Sequence, residues 1–372
     1  MKKILFILGF AALAFAACSN DEVVEVNQGE AISFRPLINN VTRASSVAEI
    51  TTAIIASFTV NAMQASTTTP YFSNAVYSKD GDAFTCAAKY YWPASESLDF
   101  YAYAPAGNSQ VTYTDYKTFT VTPTAGTDPA SQVDFVYAAT KGKNKASNAT
   151  GVVLNFRHTG AKIVCKVQNS SSALKFGVEG WKVGYLYPSG VFTFADANTD
   201  GNNTGSGTTL SFAQWATSGT KSVDTEYAST FTKVDIAASA SATALDGEMI
   251  LVPQTLTAAT DYAATTENAK LNGTFIAVKL YILNAANNNL IAGGGTTASP
   301  TTIWAIWPIG GYNWEPGKKY TYTIDLAGGG YYEQNNSDGD DDLDPILEGA
   351  EIKFVSVTVD DWTEVAKTVP QS

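Results

Sequence analysis

Tyr320-Thr321-Tyr322-Thr323-Ile324-Asp325-Leu326 follows the turn Glu315-Pro316-Gly317 and sets Tyr320, Tyr322, Ile324 and Leu326 on one face. Strict alternation of this kind makes a half-buried strand, because successive side chains of a pleated backbone point to opposite sides. The same short style recurs outward along the chain. Phe58, Val60 and Ala62 alternate, and Tyr90-Tyr91-Trp92-Pro93 precedes Leu98 to Pro105. Val133–Tyr137, Val152–Phe156, Ala161–Val167, Trp181–Tyr187, Val191–Phe194, Met249–Val252 and Phe275–Leu283 continue the series. Turn residues separate these runs and no helix-length pattern intervenes, so the fold class is all-β, built as antiparallel sandwiches.

Composition agrees. Charged residues are 16% of the 372, aromatics reach 12%, and Thr, Tyr, Val and Phe favour strands. The length supports two domains with their own cores. A formal net charge of −12 excludes nucleic acid as a partner, since phosphate binding needs clustered Lys and Arg.

The N-terminus reads as an export signal over residues 1–17. Met1-Lys2-Lys3 is its positive end, and Ile4 to Ala17 is an apolar run too short to span a bilayer. Phe15-Ala16-Ala17-Cys18 then has the form of a lipoprotein processing site. Cleavage between Ala17 and Cys18 would free the thiol for lipid attachment, so outer-membrane lipid is an expected partner through Cys18. The other two cysteines, Cys86 and Cys165, either pair or lie buried as free thiols, and two cysteines do not make a disulfide framework.

A polar tether leads to a first strand, Ala31-Ile32-Ser33-Phe34, with Ile32 and Phe34 on one face. Asn39 to Ser46 is an open loop. A polar cluster at Asn169-Ser170-Ser171-Ser172 marks an expected boundary between a first sandwich, 44–172, and a second, 173–372. Within the second, residues 327–350 carry seven acids and no Lys or Arg, and are expected to form a flexible acidic linker. A last strand over 351–362 follows, Ile352-Lys353-Phe354-Val355-Ser356-Val357-Thr358-Val359 and then Asp360-Asp361-Trp362. Phe354 lies on the opposite parity from Val355, Val357 and Val359, so a bulge or a second buried face is required.

Catalytic chemistry has little to stand on, and neither an enzyme nor a cofactor is expected. His158 is the only histidine and is expected to be structural and half-buried at a strand end. Asp196-Ala197-Asn198-Thr199-Asp200-Gly201 resembles the start of a calcium loop. Position twelve of that frame is Gly207 rather than a bidentate Glu, so a solvated hairpin tip is expected and no metal site.

Arginine placement says more. Of the three, Arg35 precedes Pro36, which hinders trypsin-like cleavage, and Arg157 lies within an expected strand. Arg43 alone sits in an open loop before a small residue, Ala44. Cutting there would release residues 18–43 with Ile32 and Phe34. The C-terminal strand repeats their pattern as Ile352-Lys353-Phe354, so a second copy could fill the vacated groove by β-strand addition. About four apolar anchors at roughly 1.5–3 kcal/mol each give a gross burial on the order of 6–12 kcal/mol.

These residues resemble the fimbrillin family, the type V pilins of Bacteroidales. The resemblance rests on the lipoprotein signal, Val41-Thr42-Arg43-Ala44, Tyr91-Trp92-Pro93 with Leu98–Tyr103, Asp134–Ala138, and Phe156-Arg157-His158-Thr159-Gly160-Ala161-Lys162-Ile163. It continues with Trp314–Tyr320 and Val357–Trp362. It implies two tandem transthyretin-like β-sandwich domains, an outer-membrane lipoprotein precursor, and cleavage after Arg43 by an Arg-specific protease. It also implies strand-exchange assembly with other fimbrial subunits, self or paralogous, into adhesive cell-surface fimbriae that meet host or bacterial ligands. A surface glycan-binding lipoprotein of a polysaccharide-uptake system is the other reading. It would keep residues 19–43, stay monomeric and use Trp304, Trp307 and Trp314 as a sugar platform.

Overall fold

The computed structural model describes residues 26–38, 55–67, 69–81, 83–116, 118–122, 132–194, 215–258, 272–333, 343–347 and 353–361. The signal segment, Ala17, Cys18, Arg43, Ala44, the 196–201 fragment and Ile352 lie outside these residues.

The first run of strands is β1 (Val26–Ala31), β2 (Phe34–Ile38), β3 (Ser57–Gln64), β4 (Pro70–Asp80), β5 (Ala83–Thr85) and β6 (Tyr91–Pro93). It continues with β7 (Leu98–Ala104), β8 (Val111–Asp115), β9 (Thr118–Val121), β10 (Val136–Lys143) and β11 (Val152–His158). Next come β12 (Ala161–Gln168), β13 (Leu174–Leu186), β14 (Ser189–Thr193), β15 (Trp215–Ser218), β16 (Ser222–Ile236), β17 (Thr243–Ala244) and β18 (Met249–Leu251). They are followed by β19 (Phe275–Asn284), β20 (Leu290–Ala292), β21 (Gly294–Thr296), β22 (Ser299–Thr301), β23 (Ile303–Pro308) and β24 (Lys318–Asp325). A 3-10 turn at Leu326–Gly328 leads to β25 (Tyr331–Glu333), β26 (Leu343–Pro345) and β27 (Lys353–Asp361).

Seven strands, β2-β11-β10-β7-β3-β4-β5, form one curled sheet. Its inner face buries Phe58, Val60, Phe100, Leu154 and Phe156 with Ile32 and Phe34. Its outer face carries Met63, Tyr101, Tyr103 and Tyr137 and packs on the sheet β15-β14-β9-β8 through Phe119, Phe192 and Trp215. The second sandwich sets β17-β12-β24-β27 against β16-β13-β19-β23-β25-β26. Alternation explains both cores, since Tyr320, Tyr322 and Ile324 are buried as their period demands.

The structure adds three details to these expectations. The sheets are not wholly antiparallel: β2 runs parallel to β11, and β12 runs parallel to β24 from Lys162↔Lys319 to Gln168↔Asp325. Period-two patterning is the same for either direction, so the sequence could not separate them.

Second, β12 lies before residue 172 yet pairs with β24, so the chain changes sandwich at Thr159-Gly160. A Cβ on Gly160 would stand 2.9 Å from Ile250 Cγ2 and 3.3 Å from the Leu251 carbonyl, so only glycine permits that close pass. β14 also returns to pair with β9 and carries β15 on its far side, which ties the two halves into one packing unit.

Third, the stretch expected as a flexible linker contributes structure at its described residues. β25 pairs with β23 at Ile306↔Tyr331, and β26 pairs with β25. Gly330, at φ +73, brings its Cα against the Trp307 ring, and the Gly329 Cβ position meets Leu347. Apolar residues scattered among the acids (Tyr331, Ile346, Leu347) supply the contacts that the charge count hid.

Candidate functional site

Residues 31–38 cross from one strand neighbour to another. β1 pairs with β6, and just beyond it the Ile32 amide donates to the Tyr90 carbonyl at 2.7 Å. One residue later the Val152 amide donates to the Ser33 carbonyl at 2.8 Å, and β2 continues parallel to β11 from Phe34↔Val152 to Ile38↔Phe156. On its other side β2 comes alongside β5, the far edge of the same curled sheet. The N-terminal strand is therefore the closing stave of the first sandwich. Pro36 lacks an amide hydrogen and is tolerated because β2 is a sheet edge.

Burial follows the alternation. Ile32 is 3% exposed and Phe34 5%, while Ala31, Ser33 and Arg35 are exposed. Phe34 meets Tyr77, Phe100 and Phe58 edge-on, with ring centroids at 4.9, 5.2 and 6.2 Å. Side chains of this size contribute about 1.5–3 kcal/mol each when fully buried. The exposed side is incompletely filled: Ala31, Ser33, Trp92, Asn148 and Ala149 line a notch of about 230 Å3.

Gly151 makes the close approach possible. Its φ is +101, and a Cβ there would stand 3.0 Å from Ser33 Oγ. Gly151→Ala is expected to weaken the docking of β2 by about 1–3 kcal/mol. Faster hydrogen exchange at the Val152 amide, with β12 unchanged, is the measurement. Unchanged exchange at Val152 would show that β2 is not held through Gly151.

The C-terminal strand lies at the opposite end of the element order. β27 runs antiparallel to β24, from Lys318↔Asp361 to Asp325↔Lys353. Its register slips between Thr323↔Ser356 and Ile324↔Phe354, leaving Val355 as the extra residue. That bulge puts Phe354 and Val357 in line with Ile324 and Tyr322, which resolves the parity conflict of the sequence. Val357 is partly buried against the second core, while Ser356 and Thr358 are exposed and Val359 is 50% exposed. Among the described strands β27 pairs with β24 alone and forms the edge of its sheet.

The remaining candidates are structural. Arg157 sits within β11 as expected. His158 is 1% exposed rather than half-buried, and its Nδ1 lies 2.6 Å from Asp134 Oδ2. The chain folds Asp134 over the end of β11, a contact no local pattern signals. Cys86 and Cys165 are both free, and burial pushes the Cys165 thiol well above its usual range.

The three tryptophans do not form an exposed platform. Trp307 and Trp314 are buried, and Trp314 Nε1 donates to the Tyr322 hydroxyl at 2.8 Å. Trp304 is half-buried beneath Lys182, whose Nζ lies 4.7 Å from the ring centroid. Among the described residues no group of three or more His, Cys, Asp or Glu side chains could hold a metal ion. Nor is any helix among them long and apolar enough to cross a membrane. The sequence left unread the crossing at Ile32–Ser33, the notch and the role of Gly151. A glycine directly before the strand pattern of β11 was the one available signal.

No curated protein matches this sequence. Among solved structures the chain is similar to a fimbrial protein from Bacteroides vulgatus ATCC 8482. The TM-score is 0.56 at 16% identity, covering 90% of this chain and 99% of that one, which shows a shared fold. It is also similar to the fimbrial anchor protein Mfa2 from Porphyromonas gingivalis, with a TM-score of 0.31 at 9% identity over 89% of this chain and 98% of that one. The family model described as fimbrillin-like matches residues 42–362, nearly the whole chain, and the protein belongs to the fimbrillin-like family.

Proposed function

We propose that the protein is a structural subunit of a cell-surface fimbria, exported as a precursor lipidated on Cys18 and matured by cleavage after Arg43. It then joins other subunits by strand addition and serves adhesion. The observation that carries this reading is the place of the N-terminal strand. Ile32 and Phe34 close the first core from a sheet edge, and Arg43 follows β2 five residues on in the sequence. While the loop is intact, its short tether holds β2 at a high effective concentration over its own groove. Once it is cut, residues 18–43 are held by non-covalent contacts alone, and a strand carrying Ile352, Phe354, Val355, Val357 and Val359 can compete.

The test is limited digestion of the folded precursor with an Arg-specific protease. One cut is expected, leaving a core that starts at Ala44 and that then polymerises. Arg43→Ala is expected to resist the cut and stay monomeric. Polymer from Arg43→Ala, or a first cut at Arg157, would overturn the reading.

A further inference from the structure

We infer that the notch beside Ala31 and Ser33 sets the register in which the C-terminal strand of a second copy enters the seam, with Glu351 and Lys353 as the residues that fill it. This inference rests on the strand-addition reading above. Two segments of the chain carry one pattern at one spacing. Gly29-Glu30-Ala31-Ile32-Ser33-Phe34 and Gly349-Ala350-Glu351-Ile352-Lys353-Phe354 share Gly, Ile and Phe, and an apolar Val26 or Ile346 precedes each glycine by three. Laid on β1 and β2, the second segment brings Phe354 into the ring cage of Phe58, Tyr77 and Phe100.

The two segments differ where the notch lies. Ala31 and Ser33 correspond to Glu351 and Lys353, which are both longer and opposite in charge. In the uncut chain the exposed Ala31 and Ser33 leave about 230 Å3 unfilled against Trp92, Asn148 and Ala149. The chain's own strand therefore satisfies the core side of the seam and underfills the outer side. The longer pair supplies atoms for that space, with stems against Trp92 and charged ends toward water.

Alternation alone does not fix this register. A one-residue slip would drive Lys353 into the buried place of Phe34 or of Ile32 and turn Phe354 outward, which the apolar core excludes. A two-residue slip keeps the parity and passes that filter. In one direction it places Val355 in the polar notch. In the other it sets Gly349 and Glu351 there, with Ile352 in the ring cage. Only the register with Glu351 and Lys353 in the notch fills both sides of the strand.

The test uses the full chain in a Cys86→Ser background, with Ala149→Cys on the accepting copy. Donor copies carry Cys singly at 349, 351, 353 or 355. After cutting at Arg43 and mixing, a short thiol cross-linker should join Ala149→Cys to Glu351→Cys and Lys353→Cys in high yield, and to the outer two positions weakly. High yield at 353 and 355, or at 349 and 351, would overturn the register while leaving strand addition intact. Absence of polymer from the unsubstituted chain would overturn strand addition and this inference with it. In a one-to-one competition, a donor with Glu351→Ala and Lys353→Ser should enter polymer about three- to ten-fold less than the unsubstituted donor. Equal entry would show that the notch does not select.

Discussion

Phe34→Ala in the uncut chain is expected to remove about 3–5 kcal/mol from the first sandwich. Phe34 is 5% exposed and meets three other rings edge-on, so truncation leaves a cavity among those rings. Each kcal/mol corresponds to roughly 2–4 °C in Tm for a unit of this size. Because the halves share the sheet β15-β14-β9-β8, the loss should be located by hydrogen exchange rather than by one global midpoint. Exchange should quicken in β2 and β11 first, and in β12 and β24 least. Arg35→Ala, on the exposed side of the same strand, should stay within about 0.5 kcal/mol. A loss below about 1 kcal/mol for Phe34→Ala would mean that the N-terminal strand does not close the core.

Truncation after Gly349 is expected to abolish donor activity and leave the second sandwich folded. β27 is an edge strand with one partner, and of its described side chains only Val357 packs on the core, while Val359 stays half exposed. The described side chains of β27, residues 356–359, are less buried than Ile32 and Phe34 in the seam. The stability cost to the host sandwich should be about 1–3 kcal/mol. Cut truncated protein should form no polymer alone, and mixed with cut intact protein it should give short, capped oligomers. Phe354→Asp should act in the same way, since an unpaired carboxylate in an apolar cage costs several kcal/mol. Polymer from the truncated chain alone would place the donor elsewhere. Unfolding of the second sandwich would make β27 an integral part of its own core.

Individual strands were legible because their evidence is local. Ile32 and Phe34, or Tyr320, Tyr322 and Ile324, announce a buried face through alternation alone. The parity conflict between Phe354 and Val357 announced the bulge that Val355 supplies. Elements with a weaker apolar signature were missed. β16 is fifteen residues of mostly Ser, Thr and charge, and it forms a strand because it lies at a sheet edge where β13 carries its pairing. The stretch 331–347 was masked in the same way by its acids, although Tyr331 pairs across to Ile306.

The sequence by itself determined the all-β class, the inward faces of most strands and the two matching strands at the chain ends. Those follow from a two-residue period that each segment carries within itself. Only the tertiary structure decided which strand lies beside which. The parallel seats of β2 on β11 and β12 on β24, the change of sandwich at Gly160, and the docking of β27 on β24 all depend on residues far apart in the chain. Pairing partners are chosen by where apolar faces meet and where glycines allow close approach, and neither quantity exists until the chain has folded.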